Sequence, residues 1–359
     1  MNIKMVDLNG QYLRIKTEID DAIQSVIDST AFIQGKEVQE FASALSKYLD
    51  GVHVITCGNG TDALQIAMMA LDLKPGDEVI LPVHSYAATV EVTALLGLIP
   101  VFVDVDPDTF NIDVNQVEKL INKKTKAIVP VHLYGQCADM DALMAMASKH
   151  NIKVIEDAAQ SIGGKYKNTF SGTIGDVGTT SFFPSKNLGC FGDGGAIMTR
   201  SAVLAEEIRM IANHGQKKKY HHERIGVNSR LDTIQAALLK VKLKYLEEYE
   251  KKRNAVADFY DSRLENVTIP IRSKNSTHVF HQYTIKTKRR DELKLFLQGK
   301  SIPTMIYYPV PLHHQNAYRQ EKSFPVAEQL SKEVLSLPIH TEMTAEQLDY
   351  ICKSINEFR

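Results

Sequence analysis

The sequence predicts an α/β protein with a mostly parallel, helix-covered sheet and a smaller α/β domain at its C-terminal end. Three observations carry this. Between about residues 50 and 200, short β-rich runs alternate with helix-length amphipathic stretches, the pattern of repeated βαβ units. The β-rich runs are mostly continuously apolar rather than alternating, so helices must cover both faces of their sheet. Past about residue 264 the pattern changes to a half-exposed strand and a few amphipathic helices.

In order, the strand candidates are VHVITC (52–57), DEVILPV (77–83), PVFVDV (100–105), KAIVPVHLY (126–134), KVIEDA (153–158) and the later AIMT (196–199). Between them TDALQIAMMALD, AATVEVTALLG, VNQVEKLINKK and DMDALMAMASKH space apolar residues at helical intervals, mostly after a capping or turn residue. Ahead of the first strand, Leu13, Ile19, Ala22, Ile23, Val26 and Ile27 form one helical face that packs onto the main domain. From Arg230 to about Leu264 a Lys- and Glu-rich helical pattern runs without Gly or Pro, and reads as one long connector. Beyond it, HVFHQYTIKT alternates like a strand, RDELKLFLQGK and FPVAEQLSKEVLSL read as helices, and Thr344-Ala345-Glu346-Gln347 is a capping box. This divides the chain into a large domain over 1–245, with its N-terminal helix, and a small one over 246–359 joined by the long helix.

Composition narrows the partner. The 359 residues carry 42 basic and 43 acidic side chains, a formal net charge of −1, which gives no general field for nucleic acid or anionic lipid. An apolar share of 44% is that of a globular chain. No apolar run reaches the roughly 20 residues that span a bilayer, and the opening residues break into charge before a signal-peptide core forms. A cytoplasmic protein acting on a small molecule is expected. Cys57, Cys137, Cys190 and Cys352 lie far apart with no CxxC pair, and read as packing residues.

Three segments have the makings of chemistry. Gly58-Asn59-Gly60-Thr61-Asp62 lies between a strand and a helix, where free N–H groups and the positive helix end attract an anion such as a phosphate. Taken alone it reads first as an ordinary strand-to-helix turn, since short Gly-rich turns are common and it lacks the fingerprints of dinucleotide and P-loop sites. Asp157 lies at the carboxyl end of an apolar strand, where parallel sheets bind ligands; it is either a helix cap or a partner for a protonated heterocyclic nitrogen. Lys186 sits among Phe182, Phe183 and Leu188 between glycine turns, where an amine is more easily neutral and able to form a Schiff base. Most lysines are instead solvated surface charges.

A phosphate cradle, a strand-end carboxylate and a sheltered lysine, in that order on one α/β scaffold, are the equipment for pyridoxal phosphate. From about Asp7 to the C-terminus, this order and the local sequences resemble the sugar-nucleotide aminotransferases of the DegT/DnrJ/EryC1/StrS family, of fold type I among pyridoxal-phosphate enzymes. The resemblance implies that Lys186 is the Schiff-base lysine and proton shuttle, and that Asp157 pairs with the ring nitrogen. It further implies that Gln160 contacts the ring hydroxyl, that Gly60, Thr61 and Ser181 hold the phosphate, and that Tyr86 stacks on the ring. The alternative for Tyr86 is a core aromatic on a helix over 86–97. Asn228 matches the family asparagine that reaches the phosphate of the other subunit, so the resemblance implies a homodimer with shared sites.

The same resemblance implies ping-pong transfer from L-glutamate to a nucleotide-linked keto-sugar. In HGQ…YHH…GVNSRLDTIQAALL and YPVPLHHQ the chain is most similar to enzymes acting on UDP-2-acetamido-2-deoxy-3-keto-glucuronate, which serve surface polysaccharide or O-antigen synthesis. Arg230 is the candidate for the uronate carboxylate, with a salt bridge at the start of the connector as its other reading. Tyr308 and His313 are substrate-facing candidates, with a Pro-restrained aromatic turn as theirs. Relatives often have His-Tyr-Pro where this chain has Tyr307-Tyr308-Pro309. The loop His214–His222 is either a solvated basic loop or faces a diphosphate, and its adjacent histidines lack a metal-ligand pattern, so no metal is expected. The alternatives are a dTDP-linked 3-keto-6-deoxyhexose as substrate and a cofactor-binding regulator without catalysis.

Overall fold

The computed structural model describes residues 2–358. Helices α1 (Leu8–Arg14), α2 (Lys16–Ser29) and α3 (Lys36–Tyr48) precede the sheet. Ile19 and Val26 of α2 are buried, and Ile15 and Ile19 pack against Leu238 and Val241. Leu13 and Ile27, expected on the same inward face, are instead exposed. Leu13 belongs to α1, ahead of the break at Ile15, and so is not on the stripe of α2, of which Ile27 is an uncovered edge.

The sheet is built by β1 (His53–Cys57), α4 (Gly60–Ala70), β2 (Glu78–Pro82), α5 (Ala88–Leu95), β3 (Ile99–Val103), α6 (Val114–Leu120), β4 (Thr125–Ile128), α7 (Met140–His150) and β5 (Lys153–Asp157). A two-residue hairpin, β6 (Lys165–Tyr166) with β7 (Thr169–Phe170), leads into β8 (Val177–Ser181) and β9 (Gly195–Thr199), and α8 (Ala202–Ala212) follows. The seven strands lie in the order β1-β9-β8-β5-β4-β2-β3, with β9 antiparallel to both neighbours and the other pairings parallel. Val79 and Leu81 enter one core with Leu64, Val92 and Ile208, while Ile80 enters another with Val117, Leu143 and Val154. Covering both faces is what made these strands read as unbroken apolar runs. β8, with the sequence VGTTS, carries one aliphatic residue and escaped that reading; its small side chains admit close neighbours, and a Cβ at Gly178 would meet the carbonyl oxygen of Gly172 at 2.0 Å.

After the short hairpin of β10 (Gln216–Lys218) and β11 (His221–His222), the expected single connector is two helices, α9 (Thr233–Leu243) and α10 (Leu246–Arg263). Between them Lys244 N–H donates to Val241 O and Tyr245 N–H to Lys242 O, a tightened turn that redirects the chain. Glu18 of α2 anchors the turn through Lys244 Nζ and Tyr245 Oη. The expected domain boundary after residue 245 falls at this turn.

The C-terminal region adds β12 (Tyr283–Lys286), α11 (Arg290–Gly299), α12 (Pro325–Glu333), β13 (Val334–Leu337) and α13 (Ala345–Glu357), the last opened by the Thr344–Gln347 capping box. The segment FPVAEQLSKEVLSL is therefore not one helix. Its last four residues leave the helix to pair antiparallel with β12, burying Val334, Leu335, Ser336 and Leu337. A second core forms around Tyr260, Phe280, Tyr283, Leu297, Leu337 and Ile351 and takes in Ile3, whereas Phe324, Ala327 and Leu330 join the large sheet's core. All four cysteines are free and buried.

One buried carboxylate ties the end of β5 to the loop that precedes β8. Glu156, with no exposed surface, accepts from the N–H groups of Gly172 (2.9 Å), Ile174 (2.7 Å) and Gly175 (2.7 Å). His132 Nε2 adds a fourth bond at 2.9 Å; its Nδ1 accepts from Ala138 N–H, which leaves Nε2 as the donor. Glu156→Ala strands these donors in the interior. We expect it to destabilise the protein by about 3–5 kcal/mol, the cost of breaking a buried charged network, as read from urea denaturation, with Glu156→Gln costing less.

Candidate active site

The strands β5 and β8, the first turn of α4 and the segment after β2 open onto one cavity of about 680 Å³. It is lined by Gly60, Thr61, Tyr86, Asp157, Gln160, Ser181, Lys186 and Tyr308, so the structure brings together eight of the residues singled out in the sequence.

The anion end is built by backbone. Asn59 caps α4, its Oδ1 accepting from Asp62 N–H at 2.8 Å, and the N–H groups of the helix's first turn have no acceptor within the helix. Gly60 must be glycine because a Cβ there would lie 2.8 Å from Ser181 Cβ. The turn is held from outside by Ser229, whose Oγ accepts from Gly58 N–H at 2.8 Å and donates to Asp62 Oδ2 at 2.5 Å.

Asp157 is buried, and its backbone is locked by bonds to Pro130 O (2.9 Å) and from His132 N–H (3.0 Å). Its Oδ2 accepts from Thr89 Oγ1 at 2.9 Å. The helix-cap alternative is not realised, for the chain turns after Asp157 without entering a helix. Gln160 accepts from Tyr134 N–H at 2.7 Å and reaches Tyr308 Oη at 3.3 Å through Nε2. Tyr86 is 61% exposed and precedes α5, which begins at Ala88; it is not a core aromatic, and its ring lies 6.2 Å from that of Tyr308.

Lys186 sits in the loop between β8 and β9, where its N–H donates to Phe183 O at 2.8 Å. Enclosure by the surrounding protein pushes its ammonium down to about 8, with the charge of Asp157 acting in the opposite sense. Next to it, Asn187 Nδ2 donates to Val279 O at 2.9 Å and fastens this loop to the C-terminal region.

Three sequence candidates stand outside the chain's own cavity. Asn228 is exposed. Arg230 is half-buried beside the Gly58 turn and, among the described residues, makes no ion pair, so its salt-bridge alternative is not realised. His313 is fully buried, packs against Phe324 and points Nε2 at Glu328 Oε1, 3.3 Å away. Its role as a substrate contact is corrected: the short helical turn Leu312–His314 carries it inward. His313, His314 and Glu328 place ligand-type atoms within 4.8 Å of one another, but Glu328 Oε1 already accepts from Ser323 Oγ and Phe324 N–H at the start of α12.

Residues not singled out in the sequence also line the cavity, among them Ser85, His281 and Gln282, and Tyr307, noted only as a departure from the relatives, lines it too. His281 and Gln282 arrive by a close approach to the turn Tyr134–Gly135: Val279 N–H donates to Gly135 O at 2.9 Å and Gln282 N–H to Tyr134 O at 3.2 Å. Gly135 has φ +108°, and a Cβ there would lie 2.9 Å from His281 N. The polar pair His-Gln at the mouth of an otherwise alternating strand was the signal available.

Residues 13–356 match the DegT/DnrJ/EryC1/StrS aminotransferase family. A UDP-2-acetamido-2-deoxy-3-oxo-D-glucuronate aminotransferase of Pseudomonas aeruginosa is 48% identical, over 98% of this chain and 99% of that protein. A protein of Geobacillus stearothermophilus named as a pleiotropic regulatory protein is 47% identical, over 100% and 99%. The crystal structure of S. venezuelae DesV in complex with a ketimine intermediate superimposes with a TM-score of 0.97 at 40% identity, covering 99% of this chain and 98% of that one. With a family match spanning nearly all of its length, this chain belongs to the DegT/DnrJ/EryC1/StrS aminotransferase family.

Proposed function

We propose that this aminotransferase moves the amino group of L-glutamate to C3 of UDP-2-acetamido-2-deoxy-3-keto-glucuronate. One observation carries the chemistry: Lys186, Asp157 and the N-terminus of α4 converge on a single cavity. Likeness to the Pseudomonas enzyme supports the substrate.

The residues fit pyridoxal phosphate. Gly60, Thr61 and Ser181 would take its phosphate at the positive end of α4, where Gly60 lies close against Ser181. Asp157 would hold its ring nitrogen protonated, Gln160 its ring hydroxyl, and Tyr86 one face of its ring. Bound there, pyridoxal phosphate supplies an electron sink for the substrate carbon that loses a proton. Lys186 does the moving: a neutral Nζ accepts a proton at one carbon and returns it at another, which an amine brought down to about 8 does more readily in both directions than an ordinary lysine. The two half-reactions share this one cavity, so 2-oxoglutarate leaves before the keto-sugar enters.

Arg230 is the cation we assign to the uronate carboxylate, since among the described residues it makes no ion pair. In our reading two chains form a homodimer in which Asn228, exposed in one chain, reaches the partner's phosphate. The half-exposed Phe183 beside Lys186 is consistent with such cover. Among the described residues no helix is long and apolar enough to cross a membrane. We place the reaction in the cytoplasm, supplying an amino sugar for a surface polysaccharide. The Geobacillus relative raises a second reading, a regulator that binds the cofactor without turnover; the presence of Lys186, Asp157 and Ser181 in one cavity favours turnover.

The amine of Lys186 sets one pH dependence. Below about 8 it is protonated and cannot attack a carbonyl, so capture of pyridoxal phosphate by the apoprotein rises with pH and levels off above about 8. Stopped-flow absorbance checks this, and a rate still climbing toward the ordinary lysine value of 10.5 contradicts it. For the substrate, a panel of nucleotide-linked keto-sugars should give the highest kcat/KM with the UDP-linked uronate. Arg230→Ala should raise the KM for that uronate about ten-fold or more and affect the L-glutamate half-reaction far less. Preference for a dTDP-linked 3-keto-6-deoxyhexose would overturn the substrate assignment.

A further inference from the structure

A carboxylate turns easily about its last bond, so its direction is fixed only when both oxygens are held. The two oxygens of Asp157 are held by different elements: Thr89 Oγ1 donates to Oδ2 at 2.9 Å, and Ala159 N–H donates to Oδ1 at 3.2 Å. Ala159 follows β5 on the same strand end. Thr89 comes from across the site, on the second residue of α5, and is fully buried.

Within a helix, a threonine hydroxyl ordinarily bonds back to the carbonyl one turn earlier. Thr93 does so, donating to Thr89 O at 2.8 Å. Thr89 does not; its hydroxyl leaves the helix for the carboxylate. Thr89 also follows Tyr86 by three residues, so the entry into α5 carries both the exposed aromatic of the cavity and the hydroxyl that meets Asp157. A hydroxyl with no exposed surface and a charged acceptor is not a surface accident, and each such bond is worth more than a neutral one.

We propose that Thr89 is a positioning residue: its hydroxyl fixes the plane of the Asp157 carboxylate so that the remaining lone pairs face the cavity and meet a protonated heteroaromatic nitrogen. This rests on the pyridoxal phosphate reading of the cavity. The hydroxyl gives no proton to the reaction and touches no substrate. It removes the freedom that would let Asp157 swing toward the strand end or the cavity wall, and it keeps the orientation in place before the ligand arrives.

Thr89→Val keeps the shape and removes the bond; Thr89→Ser keeps the bond and removes a methyl group. The apoproteins are titrated with pyridoxal phosphate, and the single-turnover reaction of each loaded enzyme with L-glutamate is followed, with Asp157→Ala alongside. Thr89→Val is expected to weaken cofactor binding about ten-fold, as for loss of a hydrogen bond to a charged group, and to slow the half-reaction with little change in the KM for L-glutamate. Thr89→Ser is expected to recover most of both. If Thr89→Val binds and reacts as the unmodified protein does while Asp157→Ala fails, Thr89 does not position the carboxylate. If the valine and serine variants lose thermal stability and affinity together, the role is packing, and the proposal is overturned. If Asp157→Ala itself binds and reacts normally, the reading of the cavity falls first and takes this proposal with it.

Discussion

Consecutive residues of a strand point to opposite faces of its sheet, and the site depends on how the chain treats the two carboxylates that end β5. Glu156 faces the interior, where three backbone N–H groups and His132 saturate it and bind the loop 172–175 to the sheet. Asp157 faces the cavity and keeps part of its acceptor capacity free. A buried carboxylate without such partners would take up a proton or draw in water. Because Glu156 is satisfied internally, the strand end is rigid, and Asp157 is presented from a fixed base. The backbone of Asp157 repeats the arrangement, bonded on both sides to the segment 130–132.

The cavity is also a seam between two cores. Its floor comes from the large sheet, while His281, Gln282, Tyr307 and Tyr308 come from the C-terminal region. Many bonds set their alignment. Asn187 reaches Val279 from beside Lys186, Gly135 lets the backbone of residues 280–281 approach within contact distance, and Tyr134 Oη donates to Tyr307 O. His84 Nε2 lies 3.3 Å from the same Tyr134 hydroxyl. Lys186 therefore lies in a loop tied through Asn187 to the C-terminal region.

Much of this was legible in the sequence, for identifiable reasons. Doubly covered strands read as apolar runs, and the turn Gly58–Asp62, Asp157 and Lys186 each sit at a local pattern with chemical meaning. Their convergence needed the fold, because residues about 100 and 30 positions apart meet only through the strand order. What escaped lay where small or polar residues do structural work. β8 lacks bulky side chains, the α9–α10 junction has no Gly or Pro to announce it, and VLSL continues a helical repeat until β12 supplies a strand partner. His313 looked like a ligand contact because a histidine beside prolines and tyrosines carries no sign of which way its turn faces. Thr89 lay within the expected helix AATVEVTALLG, but only the fold, which brings the start of α5 to the end of β5, shows what its hydroxyl does.

We take Lys186, Asp157 and the α4 N-terminus to form a working aminotransferase site. This is tested most directly by the visible absorption of the purified protein before and after addition of L-glutamate, in a chain that has no tryptophan among its 359 residues. A cofactor band should be present and should disappear on mixing, with release of one equivalent of 2-oxoglutarate per chain. A protein that shows no such band, even after incubation with added pyridoxal phosphate, would contradict it.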